Sequence, residues 1–214
     1  MQSEAGFFLS VEASSDEAAK AMSKALAARL STLGHKVTVV SEVAGTPLGR
    51  QLNAIVQNAA QSLDPTSLSL LTTAGRRQLI LADIRPALSR GDIVICERFI
   101  HSALALVSTT AEVTADVALA LHAQACDDLW PDLTLLLDET PNAARQIASR
   151  LRTGDAASVL RRTMIYTPDG DYGIIDAPSS PTEAIERAVR MITRNDRFED
   201  YSDQRSRIAQ PRAA

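Results

Sequence analysis

Lysine is scarce in this sequence of 214 residues, because Lys20, Lys24 and Lys36 are the three lysines among 22 basic residues. Few positions can therefore supply an ammonium group for catalysis or for phosphate binding. Cysteine is scarcer still, since the chain contains only Cys96 and Cys126. These two cysteines lack the paired spacing of metal ligands. The sequence thus predicts no metal site and suits a reducing compartment.

Long apolar runs are also missing. No stretch approaches the roughly 20 residues that a membrane-spanning helix needs, and the first residues lack the pattern of a secretory signal. We therefore expect a cytoplasmic protein with no membrane partner. The formal net charge of −4 argues against general nucleic-acid binding. With 45% hydrophobic and 22% charged residues, the chain has the composition of a globular protein.

Glycine is absent from a stretch where many α/β proteins need it. None of the nine glycines lies between Gly6 and Gly34. The apolar run 7–11 predicts a strand that is covered on both faces. Residues 14–33 have the pattern of a helix, which Ser14 or Ser15 can cap. The beginning of the chain is therefore predicted to be a strand, a short link and a helix.

This order is typical of a phosphate-binding loop, whose sequence pattern is G-x-x-x-x-G-K-[ST]. The glycines let backbone amides surround phosphate, the lysine neutralises its charge, and the hydroxyl group holds magnesium. The link instead contains alanine, serine and two acids, Asp16 and Glu17. These acids suit the first turn of a helix, but they repel a phosphate group. The sequence predicts the layout of a phosphate loop without its binding residues.

Strands and helices alternate along the rest of the chain, which predicts a mostly parallel sheet with right-handed crossovers. We expect an α/β fold in which a parallel five-stranded sheet has helices on both faces. A single domain is predicted over 1–194, followed by a polar tail over 195–214 that we expect to be mobile. Pro86 is expected to kink or restart a long helix that begins near Pro65. The predicted strands are 7–11, 37–40, 92–96, 133–137 and 172–175, and further helices are predicted over 110–129, 139–152 and 181–192.

Several short motifs follow one another along the chain: GTPLG at 45–49, DPT at 64–66, Arg76, RPALSRG at 85–91, VICERF at 94–99 and PDLTLLLD at 131–138. By their order and nearly by their spacing, they resemble the thymidylate kinase family of P-loop nucleoside monophosphate kinases. The resemblance covers roughly residues 6–192. It implies the fold of these kinases, a homodimer, and the ATP-dependent phosphorylation of dTMP with magnesium.

The phosphate loop departs from the family pattern at every functional position. Ala13, Asp16 and Ala18 replace the three loop glycines, and Ala19 replaces the phosphate-binding lysine. Lys20 stands where the family has the magnesium-binding hydroxyl residue. A step of one residue rotates a helical side chain by about 100°, so we interpret Lys20 as a solvated residue. A rescue of function by Lys20 remains the alternative.

The acceptor side of the resemblance keeps four charged residues: Glu12, Arg76, Glu97 and Arg98. The two arginines are candidates to hold a phosphate or carboxylate group, because a guanidinium presents two parallel donors. The competing interpretation is structural, with Arg98 paired to Glu12 or Glu97 at the strand edge.

Other acceptor positions have lost the residues that the family uses. Residues 41–44, SEVA, replace the Arg-Glu-Pro-Gly of the family, so one arginine is missing. Thr72 lies at or beside the aromatic position that stacks on thymine, and Val107 lies at the amide that binds the base. The lid interval over 150–171 is short, whereas a lid-like Asp-Arg-Phe-Glu occurs at 196–199 in the tail. That tail motif is either a displaced lid or a chance match.

Three hypotheses for function follow. The first is an inactive member of the family, without cofactor or metal, that acts as a binding or regulatory subunit in nucleotide metabolism. Its partner would be a second copy, bound through helices, or an active nucleotide kinase or another protein of nucleotide metabolism. The second is an active kinase for a dTMP-like or modified deoxynucleotide that uses ATP, magnesium and Lys20. The third is a sensor of a nucleotide or small anion at Arg76 and Arg98.

Overall fold

The computed structural model describes residues 5–42, 45–59, 63–108, 115–138, 156–167, 171–176, 178 and 180–209. The strands in this part of the chain are β1 (Phe7–Ala13), β2 (Val37–Ser41), β3 (Ile93–Glu97), β4 (Leu133–Asp138) and β5 (Tyr172–Asp176). The helices are α1 (Asp16–Thr32), α2 (Pro47–Ala59), α3 (Pro65–Leu79), α4 (Arg85–Ser89), α5 (Ile100–Ser108), α6 (Ala115–Cys126), α7 (Ala156–Thr163), α8 (Pro181–Thr193) and α9 (Asp196–Ala209). A π-helical turn, Ile80–Ile84, joins α3 to α4, and a 3₁₀ turn, Met164–Tyr166, follows α7.

The strands of the described residues form one parallel sheet in the order β2-β3-β1-β4-β5. β1 lies in the centre and is buried along its whole length, as its continuous apolar run predicts. Alternate side chains of β1 enter two different cores, because successive residues of a strand point to opposite faces. The prediction of an α/β fold with a parallel five-stranded sheet is confirmed.

Helices cover both faces of this sheet, as predicted. On one face, Phe7, Leu9 and Val11 pack with α1, α8 and α9. On the other face, Phe8 and Cys96 pack with α3, the π-helical turn, α4, α5 and α6. No helix in the described part of the chain has both the length and the apolarity that crossing a bilayer requires.

Pro86 interrupts the long helix that begins at Pro65, as the sequence predicts. A proline has no backbone N–H, and its ring crowds the carbonyl group four residues earlier. The chain accommodates this by widening into the π-helical turn directly before α4. The resulting bend keeps Ile80 and Ile84 buried against the sheet.

The segment predicted to be a mobile polar tail is instead largely helical, and this part of the prediction is wrong. Helix α9 begins at Asp196, directly after α8, and buries Phe198 and Tyr201. The ring of Phe198 lies 5.2 Å from that of Phe7, edge to face. Phe7 starts β1, so this contact lies at the amino end of the sheet, opposite the end where α/β proteins bind ligands.

The motif at 196–199 is therefore the first turn of α9, and it does not reach the cleft as a lid. Arg197 donates from Nε to Asp132 Oδ1 at 3.2 Å. Residues 210–214 and the helix predicted over 139–152 lie outside the described residues.

Candidate functional site

The candidate site lies at the carboxyl ends of β1, β2 and β3. Glu12 is at the end of β1, Glu42 follows β2, and Glu97 and Arg98 end and follow β3. Parallel strands bring these ends to one edge of the sheet. The register places Val11 and Ser41 opposite Glu97, which confirms that the three ends are adjacent.

The link between β1 and α1 consists of two residues, Ser14 and Ser15. Ser15 is the N-cap of α1, and its Oγ accepts a hydrogen bond from the amide of Ala18 at 3.1 Å. The carbonyl of Ser15 accepts from the amide of Ala19 at 3.2 Å. Both amides therefore donate hydrogen bonds within the chain, one to the side chain and one to the carbonyl of the residue that caps the helix. Only two residues separate Ala13, the last residue of β1, from Asp16, the first residue of α1.

The side chains around this link confirm which positions face the core. Ala13 and Ala19 are buried in the core that α1 forms with the sheet. Lys20, one residue further on, is exposed. Asp16 and Glu17 are also exposed, in the first turn of α1. The position that corresponds to the family's lysine therefore points into an apolar core.

Arg98 has an unusual backbone, with a φ of 61°, which is uncommon for a residue other than glycine. Its amide donates to the carbonyl of Val11 at 3.0 Å. Its side chain donates from Nε to Ser102 Oγ at 2.8 Å and forms an ion pair from Nη1 to Asp16 Oδ1. The expected structural pairing with Glu12 or Glu97 is therefore wrong in its partner, because the carboxylate that pairs with Arg98 is that of Asp16.

Glu12 is completely buried beneath this ion pair. Its carboxylate accepts from the amide of Phe99 at 2.8 Å and from the hydroxyl of Ser102. Burial raises the pKa of Glu12 to about 7, and Glu42 adds to the increase, whereas Ser102 and Arg98 oppose it. Ser102 thus joins Glu12 to Arg98, a role that the sequence did not indicate.

Arg76 is 1% exposed and is paired from Nε with Glu42 Oε1. Its guanidinium carbon lies 5.5 Å from the centre of the Phe99 ring. Phe99 therefore contacts Glu12 through its amide and Arg76 through its ring. Within the described part of the chain, Arg76 Nη2 is buried and makes no hydrogen bond.

The fourth acceptor candidate, Glu97, faces a different space. It lines a cavity of about 420 Å³ between β2 and the bend near Pro86. Glu12, Arg76 and Arg98 do not line this cavity. The structure thus groups Glu12 with Arg98, places Arg76 beside them through Phe99, and leaves Glu97 apart.

Of the two positions expected to bind the base, the structure describes the side chain of Thr72. Thr72 donates its hydroxyl to the carbonyls of Leu68 and Ser69, both at 3.0 Å, within its own helix. Val107 lies on α5, but its side chain is outside the described residues.

A further ion-pair network, which the sequence did not indicate, lies at the ends of β4 and β5. Arg161 on α7 donates to Asp138 from Nε at 3.1 Å and from Nη2 at 2.7 Å. The same side chain pairs with Asp176. Arg161 therefore fastens α7 to the carboxyl edge of the sheet.

These residues do not fit a nucleoside triphosphate with its magnesium ion. The amide of Ala18 is already used by the Ser15 cap, Ala19 is buried, and the carboxylate of Asp16 lies on Arg98. Among the described residues, no cluster of three or more His, Cys, Asp or Glu side chains could hold a metal ion.

Comparisons with known proteins agree on the family. A family model described as Thymidylate kinase matches residues 20–189, so its match begins within α1, at Lys20. A thymidylate kinase of Cereibacter sphaeroides is 33% identical over 200 residues, which cover 86% of this chain and 92% of that protein. A thymidylate kinase of Deinococcus radiodurans is 35% identical over 145 residues, covering 68% of this chain and 70% of that protein.

A solved structure has the same fold. It is the thymidylate kinase from Ehrlichia chaffeensis, with a TM-score of 0.69 and 21% sequence identity. The likeness covers 88% of this chain and 98% of that one. By sequence and by fold, the chain belongs to the thymidylate kinase family.

Proposed function

We propose that this chain is a catalytically inactive thymidylate-kinase-like protein that acts as a binding or regulatory subunit in nucleotide metabolism. The observation that carries this proposal is the closed link between β1 and α1. The side chain of Ser15 caps α1 by accepting from the amide of Ala18, and the side chain of Ala19 is buried. Phosphoryl transfer in P-loop enzymes depends on positioning and on charge neutralisation, and this link supplies neither.

The charges at the link also disfavour the binding of a phosphate group. Asp16 and Glu17 add two carboxylates at the amino end of α1, where a phosphate would approach. Each repels a polyanion, and Asp16 also neutralises the guanidinium of Arg98. The exposed Lys20 leaves the site without a lysine at its centre.

The partner that the surface supports best is a second copy of this chain. Leu48 and Ile55 on α2 and Leu70 on α3 are large apolar side chains that are exposed to solvent. Because α2 and α3 pack side by side, these residues lie on neighbouring helices. Both cysteines are free and buried, which fits a protein of the cytoplasm.

Sedimentation of the purified protein tests this contact. We expect a dimer that dissociates when Ile55 is replaced by Glu. Ile165 is also exposed but lies on a different element, so Ile165→Glu is the matched control and should leave the dimer intact. A wild-type monomer would contradict the homodimer and leave a different protein as the partner.

The direct test of inactivity is transfer of labelled γ-phosphate from ATP to dTMP by the purified protein with magnesium. We expect no product above the rate without enzyme. The Lys20→Ala variant should behave like the wild type. Measurable transfer by the wild type would contradict the proposal.

The second candidate is an active kinase for a dTMP-like or modified deoxynucleotide, with ATP and magnesium as co-substrates. It is favoured by the relatives, which are named thymidylate kinases. Such an enzyme would depend on Lys20 as its phosphate-binding cation. Transfer that is lost in Lys20→Ala but kept in Lys24→Ala, an exposed lysine one turn further along α1, would establish it.

The third candidate is a nucleotide or anion sensor that uses the remaining acceptor pocket. It is favoured by Arg76, whose buried Nη2 makes no hydrogen bond to any described residue. Calorimetric titration with dTMP tests it. Binding heat that disappears in Arg98→Ala would support this candidate, and an absence of heat in the wild type would remove it.

A further inference from the structure

We propose that Asp16 is an internal ligand of Arg98: its carboxylate pairs with the guanidinium group and competes with phosphate groups for it. This inference deepens the proposed function, on which it rests, because it names what fills the residual anion site. It concerns binding of an anion and requires no phosphoryl transfer.

Arg98 is held in place independently of Asp16. Its φ of 61° sets the direction of the side chain, and its amide is bonded to Val11 at 3.0 Å. Its Nε donates to Ser102, whose hydroxyl is in turn held by the buried carboxylate of Glu12. The guanidinium is therefore fixed at the edge of the cleft, and 28% of the side chain is exposed.

Asp16 is held on the other side of this contact. It is the first residue of α1, and the Ser15 cap fixes the start of that helix. A carboxylate is favoured there by the partial positive charge of the helix terminus and by Arg98. The two partners of the ion pair are thus held by separate elements: Arg98 directly follows β3, and Asp16 begins α1.

A carboxylate and a phosphate accept hydrogen bonds from a guanidinium in the same way. Nε of Arg98 is engaged by Ser102 and Nη1 by Asp16, so a phosphate group that binds through both Nη atoms of the guanidinium must displace Asp16. The side chain of Asp16 is 63% exposed. An exposed ion pair is weak, so its displacement should change anion affinity only about two- to fivefold.

The test is calorimetric titration with inorganic pyrophosphate at fixed ionic strength, using the full-length protein. Asp16→Asn should bind pyrophosphate about two- to fivefold more tightly than the wild type. Glu17→Gln is the matched control, because it removes a carboxylate from the next position, where no ion pair is formed within the described residues. It should tighten pyrophosphate binding less than Asp16→Asn does, because it relieves only the general repulsion of the anion.

A double variant, Asp16→Asn with Arg98→Gln, identifies the receiving group. We expect it to lose the gain of the single variant. Equal affinities of Asp16→Asn and Glu17→Gln would overturn the inference, because the effect would then be one of net charge. Undetectable binding by Asp16→Asn would overturn it as well. The proposed function fails separately, through phosphoryl transfer by the wild type, which this titration does not measure.

Discussion

At the scale of single residues, Glu12 is the group whose chemistry depends most on its surroundings. Its carboxylate is fully buried, and burial raises its pKa to about 7. Folding therefore favours the protonated form, so Glu12 stabilises the fold below its ordinary pKa of 4.5. This contribution is lost as pH rises from about 4.5 through about 7.

We therefore predict that Glu12→Gln is more stable than the wild type at pH 8. The amide stays neutral at every pH, so the expected gain is of the order of 3 kcal/mol at pH 8 and vanishes below about pH 5. Urea unfolding at both pH values measures it. Glu17→Gln, at an exposed position, should change stability by less than about 0.5 kcal/mol at either pH. A gain that is independent of pH would contradict the assignment.

Single residues also mark the limit of prediction from sequence. The substitutions at Ala13, Ala18 and Ala19 can be recognised in the sequence, because a phosphate loop needs glycine and lysine there. The pairing of Asp16 with Arg98 cannot, because it joins residues 82 positions apart and depends on how two elements meet. The positive φ of Arg98 could not be predicted either, because arginine has no preference for this backbone conformation.

At the scale of elements, the strands follow directly from their apolar runs, and the sheet follows from the alternation of strands and helices. Helix α9 was missed because its sequence is mostly polar. The signal that could have found it is the spacing of Phe198 and Tyr201, three residues apart on one helical face. These two rings cover the amino end of β1.

We predict that Phe198→Ala destabilises the protein by about 3–5 kcal/mol, because a buried aromatic ring leaves a cavity when it is removed. Asp203→Ala, on the exposed side of the same helix, should cost less than about 0.5 kcal/mol. Chemical unfolding of the two variants gives both values. Equal stabilities would mean that α9 does not pack on the sheet in solution.

At the scale of the whole molecule, two buried histidines weaken the fold in acid. Burial lowers the pKa of His101 and of His122 to about 4. Their contribution to the stability of the fold is complete above pH 6.5, the ordinary pKa of histidine, and is lost as pH falls through about 4. Glu12 acts in the opposite direction, but two histidines outweigh one carboxyl group over this range.

We predict that stability falls as pH is lowered from 6.5 towards 4. His122→Gln should reduce that fall by roughly 2–3 kcal/mol, since the amide does not titrate and can still donate to the carbonyl of Leu129. Urea unfolding at several pH values between about 4 and 7 measures the slope for each protein. The same slope in both would show that folding does not lower the pKa of His122.

For the molecule as a whole, we propose that the fold of the family has been kept while its nucleotide site has been closed. The thymidylate kinase fold is present, yet the link before α1 is capped by Ser15, lined by Ala13 and Ala19, and guarded by Asp16. A protein without activity can retain such a fold for its binding surface, because activity resides in the site and not in the fold.

The most direct measurement is the unfolding temperature of the wild-type protein with and without saturating ATP and magnesium. A ligand at about 100 times its Kd stabilises the folded state by about 2.7 kcal/mol, which corresponds to roughly 5–10 °C in a chain of this size. The closed link predicts no shift. A saturable rise of several degrees, abolished in Lys20→Ala and kept in Lys24→Ala, would contradict it.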